Sequence, residues 1–143
     1  MINIDVDEIA EALEMVNESS TAYLNLDSGE IVWLSDFMDS AEAEEVADRI
    51  ECGNFERLPA QYEINEYEMM ENFIQRISET KIRNDLMSVI SGRGAFRRFK
   101  NSIRFYGIEY EWYEFRDKAY RKFAENWLKA LKEKSTNKIT INS

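Results

Sequence analysis

The fold class turns on Thr21-Ala22-Tyr23-Leu24-Asn25-Leu26, followed by Asp27-Ser28-Gly29 and then by Glu30-Ile31-Val32-Trp33-Leu34. Two runs rich in β-branched and aromatic residues alternate in polarity across a short glycine-containing loop, which is the pattern of a β-hairpin. Tyr23 and Trp33 are expected near opposite ends of the paired strands. An isolated hairpin is marginal in water. Whichever face carries Leu24, Leu26, Ile31 or Val32 therefore requires helices over it.

The flanking sequence supplies them. Asp5 and Glu8 form a cap-and-return pattern ahead of Ile9, Leu13 and Val16, predicting a helix over about residues 6–17. Asp39 and Glu42 repeat it before Ala43, Val46, Ala47 and Ile50, with Cys52-Gly53 as the stop. Phe55-Glu56-Arg57-Leu58 runs into Pro59, the only proline, which suits a short edge strand or an extended connection. Asn65 and Glu68 cap a helix carrying Tyr67, Met70, Phe73, Ile74 and Ile77, and Ile82, Leu86, Val89 and Ile90 make another that stops at Gly92. A further helix begins near Gly94, Gly107 marks a turn, and Tyr110 to Lys134 reads as a long final helix. Asn137 to Ser143 either frays or, through the alternation of Ile139 and Ile141, adds a strand. The expected fold is α+β, a small antiparallel sheet packed with five to six helices. Residues 1–143 form one domain, with 135–143 a flexible tail.

At 143 residues, with 44% hydrophobic and 13% aromatic composition, the chain can build one core and does not read as disordered. Its net charge of −10 hides a division: 21 Asp and Glu face three Arg from Met1 to Thr80, a balance of −18, and 15 Lys and Arg face 7 acids beyond, a balance of +8. Such asymmetry points to an anionic partner, or to an acidic half whose charges answer the basic half within the monomer. The absence of histidine, with Cys52 the only cysteine, excludes an intramolecular disulfide and His-based acid–base or nucleophilic catalysis. It also argues against zinc, haem and non-haem iron. No metal or other cofactor is expected. No apolar run approaches the roughly 18 residues of a spanning helix, and Met1-Ile2-Asn3-Ile4-Asp5 is not a signal peptide. The chain reads as soluble, cytoplasmic and free of the membrane.

One segment stands out chemically, Ser91-Gly92-Arg93-Gly94-Ala95-Phe96-Arg97-Arg98-Phe99-Lys100. At about 100° per residue, Phe96, Phe99, Ile103 and Tyr106 share one face, while Arg93, Arg97, Lys100 and Arg104 gather on the flank. This ridge is the candidate anion-binding site, with backbone amides at the Gly92–Gly94 turn facing a phosphate. The competing expectation pairs the four cations with acids of helices such as Glu66–Glu79 and places Phe96 and Phe99 in the core. Solvent exposure and acid pairing of the four decide between these readings: an exposed, unpaired ridge raises the anion or nucleic-acid reading above the protein-partner reading, and a ridge neutralised by acids of the first half belongs to the fold. Arg116 projects into the stripe of Trp112, Ala119, Tyr120 and Phe123, either as a structural ion pair, with Asp85, Glu71 or Asp36 among many partners, or as the floor of a ligand pocket. The acids Asp36, Asp39, Glu42, Glu44 and Glu45 lack the alternation of a calcium loop and read as caps and a solvated face. Cys52 has no basic neighbour in sequence to activate it.

The run from Gly92 to Lys100, followed by Tyr106-Gly107-Ile108-Glu109, Trp112-Tyr113-Glu114-Phe115-Arg116-Asp117 and Trp127-Leu128, resembles the signature of a bacterial family catalogued as uncharacterised protein family zero-one-five-eight. Tyr23 to Val32, Arg57-Leu58-Pro59 and Tyr67 to Phe73 are similar to it as well. The resemblance covers most of residues 20–130 and brings no catalytic residues with it. Together these readings describe a small non-enzymatic protein-interaction or regulatory domain. Its expected partner is another protein or a second copy of itself. Binding of nucleic acid or a phosphorylated ligand through the ridge is the alternative, and a carboxylate-dependent enzyme has no motif in its support.

Overall fold

A computed structural model describes residues 4–142, with side chains described as far as Lys134. Helix α1 (Val6–Met15) starts where Asp5 Oδ1 accepts from the Asp7 N–H at 2.9 Å. Strands β1 (Ser20–Asn25) and β2 (Ile31–Ser35) form the antiparallel hairpin, and β3 (Phe55–Arg57) pairs antiparallel with the other side of β1, giving the order β2-β1-β3. Between them lies α2 (Ser40–Cys52), capped by Asp39 Oδ1 on the Glu42 N–H at 2.9 Å. After a 3-10 turn at Gln61–Glu63 come α3 (Glu66–Gln75), α4 (Thr80–Val89), α5 (Ala95–Phe105) and α6 (Glu109–Asn142). The fold is α+β, with six helices and a three-stranded antiparallel sheet among the described residues.

The hairpin corrects one expectation. Ala22 faces Trp33 and Tyr23 faces Val32, so Tyr23 and Trp33 are near neighbours across the ladder. The reason lies in the turn: Asn25 Oδ1 accepts from the N–H groups of Asp27 and Ser28, and Gly29 turns back at φ 81° to donate its N–H to the Asn25 carbonyl. The tail corrects a second. Its backbone continues α6 to Asn142 with no strand, while its side chains and Ser143 lie outside the described residues.

The chain divides into two compact units, residues 1–64 with 120–143, and residues 65–119. In the sheet unit Ile9, Leu13, Ala22, Leu24, Leu58 and Ala124 are fully or almost fully buried. The helical unit is built on rings: Phe73, Phe99 and Trp112 meet edge to face with centroids 4.9–6.2 Å apart. Such pairs contribute about 0.5–1.5 kcal/mol each beyond the apolar area they bury. Met70, Ile74, Leu86, Ile90 and Ile103 close the core around them. This core fixes which face of α5 turns inward.

Candidate functional site

Phe99 and Ile103 anchor the inner face of α5, and the helix turns its opposite side to water. Arg93, Arg97, Lys100 and Arg104 are all exposed. Arg104 Nε pairs with Glu109 Oε2 at 3.0 Å, an acid from the first turn of α6 and not from the first half of the chain. Among the described residues, Arg93, Arg97 and Lys100 have no ion-pair partner. The expected pairing with acids of Glu66–Glu79 is not made. Phe96, expected in the core, is 45% exposed, because at the second helical position it sits on the rim between the buried face and Lys100.

The residue that organises this region is Arg98, which sequence reasoning passed over. Its Nε donates to the Val89 carbonyl at 2.8 Å, its Nη2 to the Ser91 carbonyl at 2.5 Å, and its Nη1 to the Arg93 carbonyl. Tyr67 Oη donates to the Ile90 carbonyl at 2.9 Å. The last carbonyls of a helix have no partner within it, and here two side chains satisfy those at the end of α4. Gly92 and Gly94 both take φ of 76°, the left-handed region that suits glycine. A Cβ at Gly94 would come within 3.0 Å of Arg98 Nη1. The turn is thus wrapped around a guanidinium with its carbonyls inward, the reverse of the amide-lined phosphate cradle that its glycines suggested. The signal in sequence is an arginine four residues after a glycine turn, on the side of the helix away from the other cations.

Arg116 is part-buried and its Nε pairs with Glu66 Oε1 at 2.7 Å, joining α6 to the first turn of α3. Glu66 is an acid at a helix N-terminus, where the helix dipole already favours negative charge. It was not among the partners suggested by the sequence. Tyr106 Oη donates to Asp85 Oδ2, and Lys81 Nζ reaches the same oxygen at 3.2 Å. The tyrosine hydroxyl first, and the ammonium second, hold the Asp85 carboxyl below its ordinary 3.8, while the Asp85 hydrogen bond raises the Tyr106 phenol above 10.0. These groups tie α4 to α5 at the surface. A cleft of about 530 Å³ in the sheet unit, walled mainly by Val16, Thr21, Leu58, Pro59 and Tyr62, carries Glu18 as its one carboxylate. Among the described residues no three acids or thiols gather in a geometry that would hold a metal ion, and no helix is long and apolar enough to cross a membrane.

The opposite charge lies on α2. None of its residues is fully buried: Ala43, Val46 and Ile50 are half-covered, and Glu42, Glu44, Glu45, Asp48 and Glu51 are exposed. Its one cation, Arg49, is held by Glu30 at 2.6 Å.

These features define a small α+β protein with an open cationic helix face and an open acidic one. Residues 1–139 match the family described as Uncharacterised protein family (UPF0158), and the chain belongs to it. No match was found among the curated proteins or the solved structures.

Proposed function

We propose that this chain is a non-enzymatic binding protein whose α5 ridge forms the positive half of a charge-complementary protein interface. The observation that carries the reading is the exposure of Arg93, Arg97 and Lys100 without any carboxylate partner among the described residues. Exposure weighs against a ridge neutralised by the fold and supports an anionic partner. The number of free cations then weighs against nucleic acid. Three phosphate contacts give a salt slope of only about −3, against 6–10 contacts for proteins that hold duplex DNA firmly. An acidic protein surface can set its carboxylates against these cations one by one, which fixes register and suppresses wrong partners.

One observation favours the second reading: Phe96 stands exposed beside Lys100, where it could stack on a base. Titration of the isotope-labelled protein with a polyglutamate peptide and with a single-stranded oligonucleotide, followed through the α5 amide signals, separates the two. Movement of Arg97 and Lys100 signals with polyglutamate, lost in Arg97→Glu/Lys100→Glu, is the expected result. Tighter binding of the oligonucleotide, with a salt slope well beyond −3, would transfer the ridge to the nucleic-acid reading.

A further inference from the structure

We infer that the acidic partner of the α5 ridge is α2 of a second copy of this chain, the two helices docking antiparallel; the inference rests on the binding role proposed for the ridge. Three independent observations lead there.

The first is that each helix presents an unpartnered face. α2 buries none of its residues fully. Its half-covered residues Ala43, Val46 and Ile50 mark the side turned toward the protein, and Glu44, Asp48 and Glu51 lie on the opposite side of the helical wheel within about 60° of arc. On α5 the buried side is marked by Phe99 and Ile103, and Arg97, Lys100 and Arg104 fall within a similar arc of about 60° on the outer flank. Among the described residues none of the three acids has an ion pair, and neither has Arg97 or Lys100. Arg104 holds Glu109 only at the surface, with 69% of its own side chain open, so it is free to exchange partners.

The second is the spacing. The cations are separated by three and then four residues, 97 to 100 to 104. Read backwards, the acids follow the same intervals, 51 to 48 to 44. At about 1.5 Å per residue both steps match, about 4.5 Å and then 6 Å. An antiparallel pair therefore sets Arg97 against Glu51, Lys100 against Asp48 and Arg104 against Glu44 in one register. A parallel pair brings the same six residues together only out of step.

The third is the direction of the helix dipoles. Antiparallel docking sets the N-terminus of α5, which Gly94 leaves without a side-chain cap, near the C-terminus of α2, so that opposite partial charges meet. The contact joins two different surfaces of the same molecule. It either closes into a twofold pair, each α5 on the other's α2, or extends from copy to copy.

The pairs are solvent-exposed, so the association is weak, reversible and sensitive to salt. Sedimentation velocity over a concentration series reads it directly. The expected result at low ionic strength is a sedimentation coefficient that rises with concentration, reverting to that of the monomer once salt shortens the Debye length to about 3 Å. Arg97→Glu/Lys100→Glu and Asp48→Lys/Glu51→Lys should each be monomeric. Mixed one to one they should associate again, because the lysines now on α2 of one variant face the glutamates now on α5 of the other. Circular dichroism of each variant checks that it is folded. Should the α5 variant unfold, the α2 variant decides alone: its residues are exposed and unpaired, and loss of association there supports the inference.

Wild type that stays monomeric at every concentration, a mixture that fails to reassociate, or an α2 variant that self-associates like wild type would each overturn it. Wild type that stays monomeric while its α5 signals still respond to polyglutamate overturns self-docking and leaves the ridge bound to another acidic protein.

Discussion

In the sheet unit, side-chain oxygens of Asp5, Asn17, Asn25, Ser28, Asp39 and Glu63 accept hydrogen bonds from backbone N–H groups at helix starts and turns. In the helical unit the chemistry is mostly reversed: Tyr67, Arg83, Ser88 and Arg98 donate to backbone carbonyls where helices end. The contrast does not follow net charge: residues 65–119 carry ten Lys and Arg against nine Asp and Glu, so it lies in which side chains stand at the helix ends. It also separates two sensitivities. Carboxylate acceptors fail in acid, whereas a guanidinium keeps its charge at any pH a protein survives.

The comparison can be broken from several sides. Phe99→Ala removes the ring that meets both Phe73 and Trp112, and should cost about 3–5 kcal/mol in urea unfolding followed by tryptophan fluorescence. Loss below 1 kcal/mol would mean that the ring cluster is not what holds residues 65–119 together. Arg98→Ala leaves three carbonyls without their charged donor and should cost about 2 kcal/mol. Hydrogen exchange should quicken first in Val89–Gly94, and Arg98→Lys should restore only part of the loss, since one ammonium cannot span the three carbonyls in a fixed fork. Gly94→Ala attacks the same clasp from the other side, through its left-handed backbone and its approach to the guanidinium, and should fall between the two arginine variants. In the sheet unit Asp39→Ala removes the cap of α2 and should cost about 1 kcal/mol.

The smallest effect sharpens the contrast in pH. The Ala60 N–H, and after it the Arg57 guanidinium, hold the Glu63 carboxyl below its ordinary 4.5. Its contribution is present above 4.5 and is lost as pH falls through the lower folded value. The urea midpoint of wild type should therefore converge on that of Glu63→Gln as pH drops below 4.5, while the cost of Arg98→Ala stays constant over the same range. A clasp cost that also faded in acid would remove the distinction between the units.

What the sequence disclosed follows from the range of each interaction. The caps at Asp39 and Asn65 act on residues three positions ahead, and the Asp-x-x-Glu and Asn-x-x-Glu spacings show them directly. Hydrophobic periods located all six helices, though α6 runs on past the expected Lys134 to Asn142. The hairpin was legible but its register was not, because Asn25 folds the turn onto its own side chain and lengthens the loop. Exposure of the ridge depended on where Phe99 and Ile103 found their partners, at Phe73 and Trp112, far along the chain. The role of Arg98 was hidden for another reason. Its partners are carbonyls, which every residue possesses, so only its place four residues after the glycine turn marks it. Glu66 as the partner of Arg116 is fifty residues distant and one of many acids, so composition alone could not single it out.

Helix α6 begins in one unit and continues into the other: Trp112 belongs to the aromatic core of residues 65–119, whereas Tyr120, Ala124, Leu128 and Leu131 are buried in the part assigned to the sheet unit. On the ribosome this fixes an order of completion. The strands are synthesised first, yet they wait for their last buried residues until the entire helical unit has been made. The unit that starts the chain is the last to have all of its buried residues synthesised.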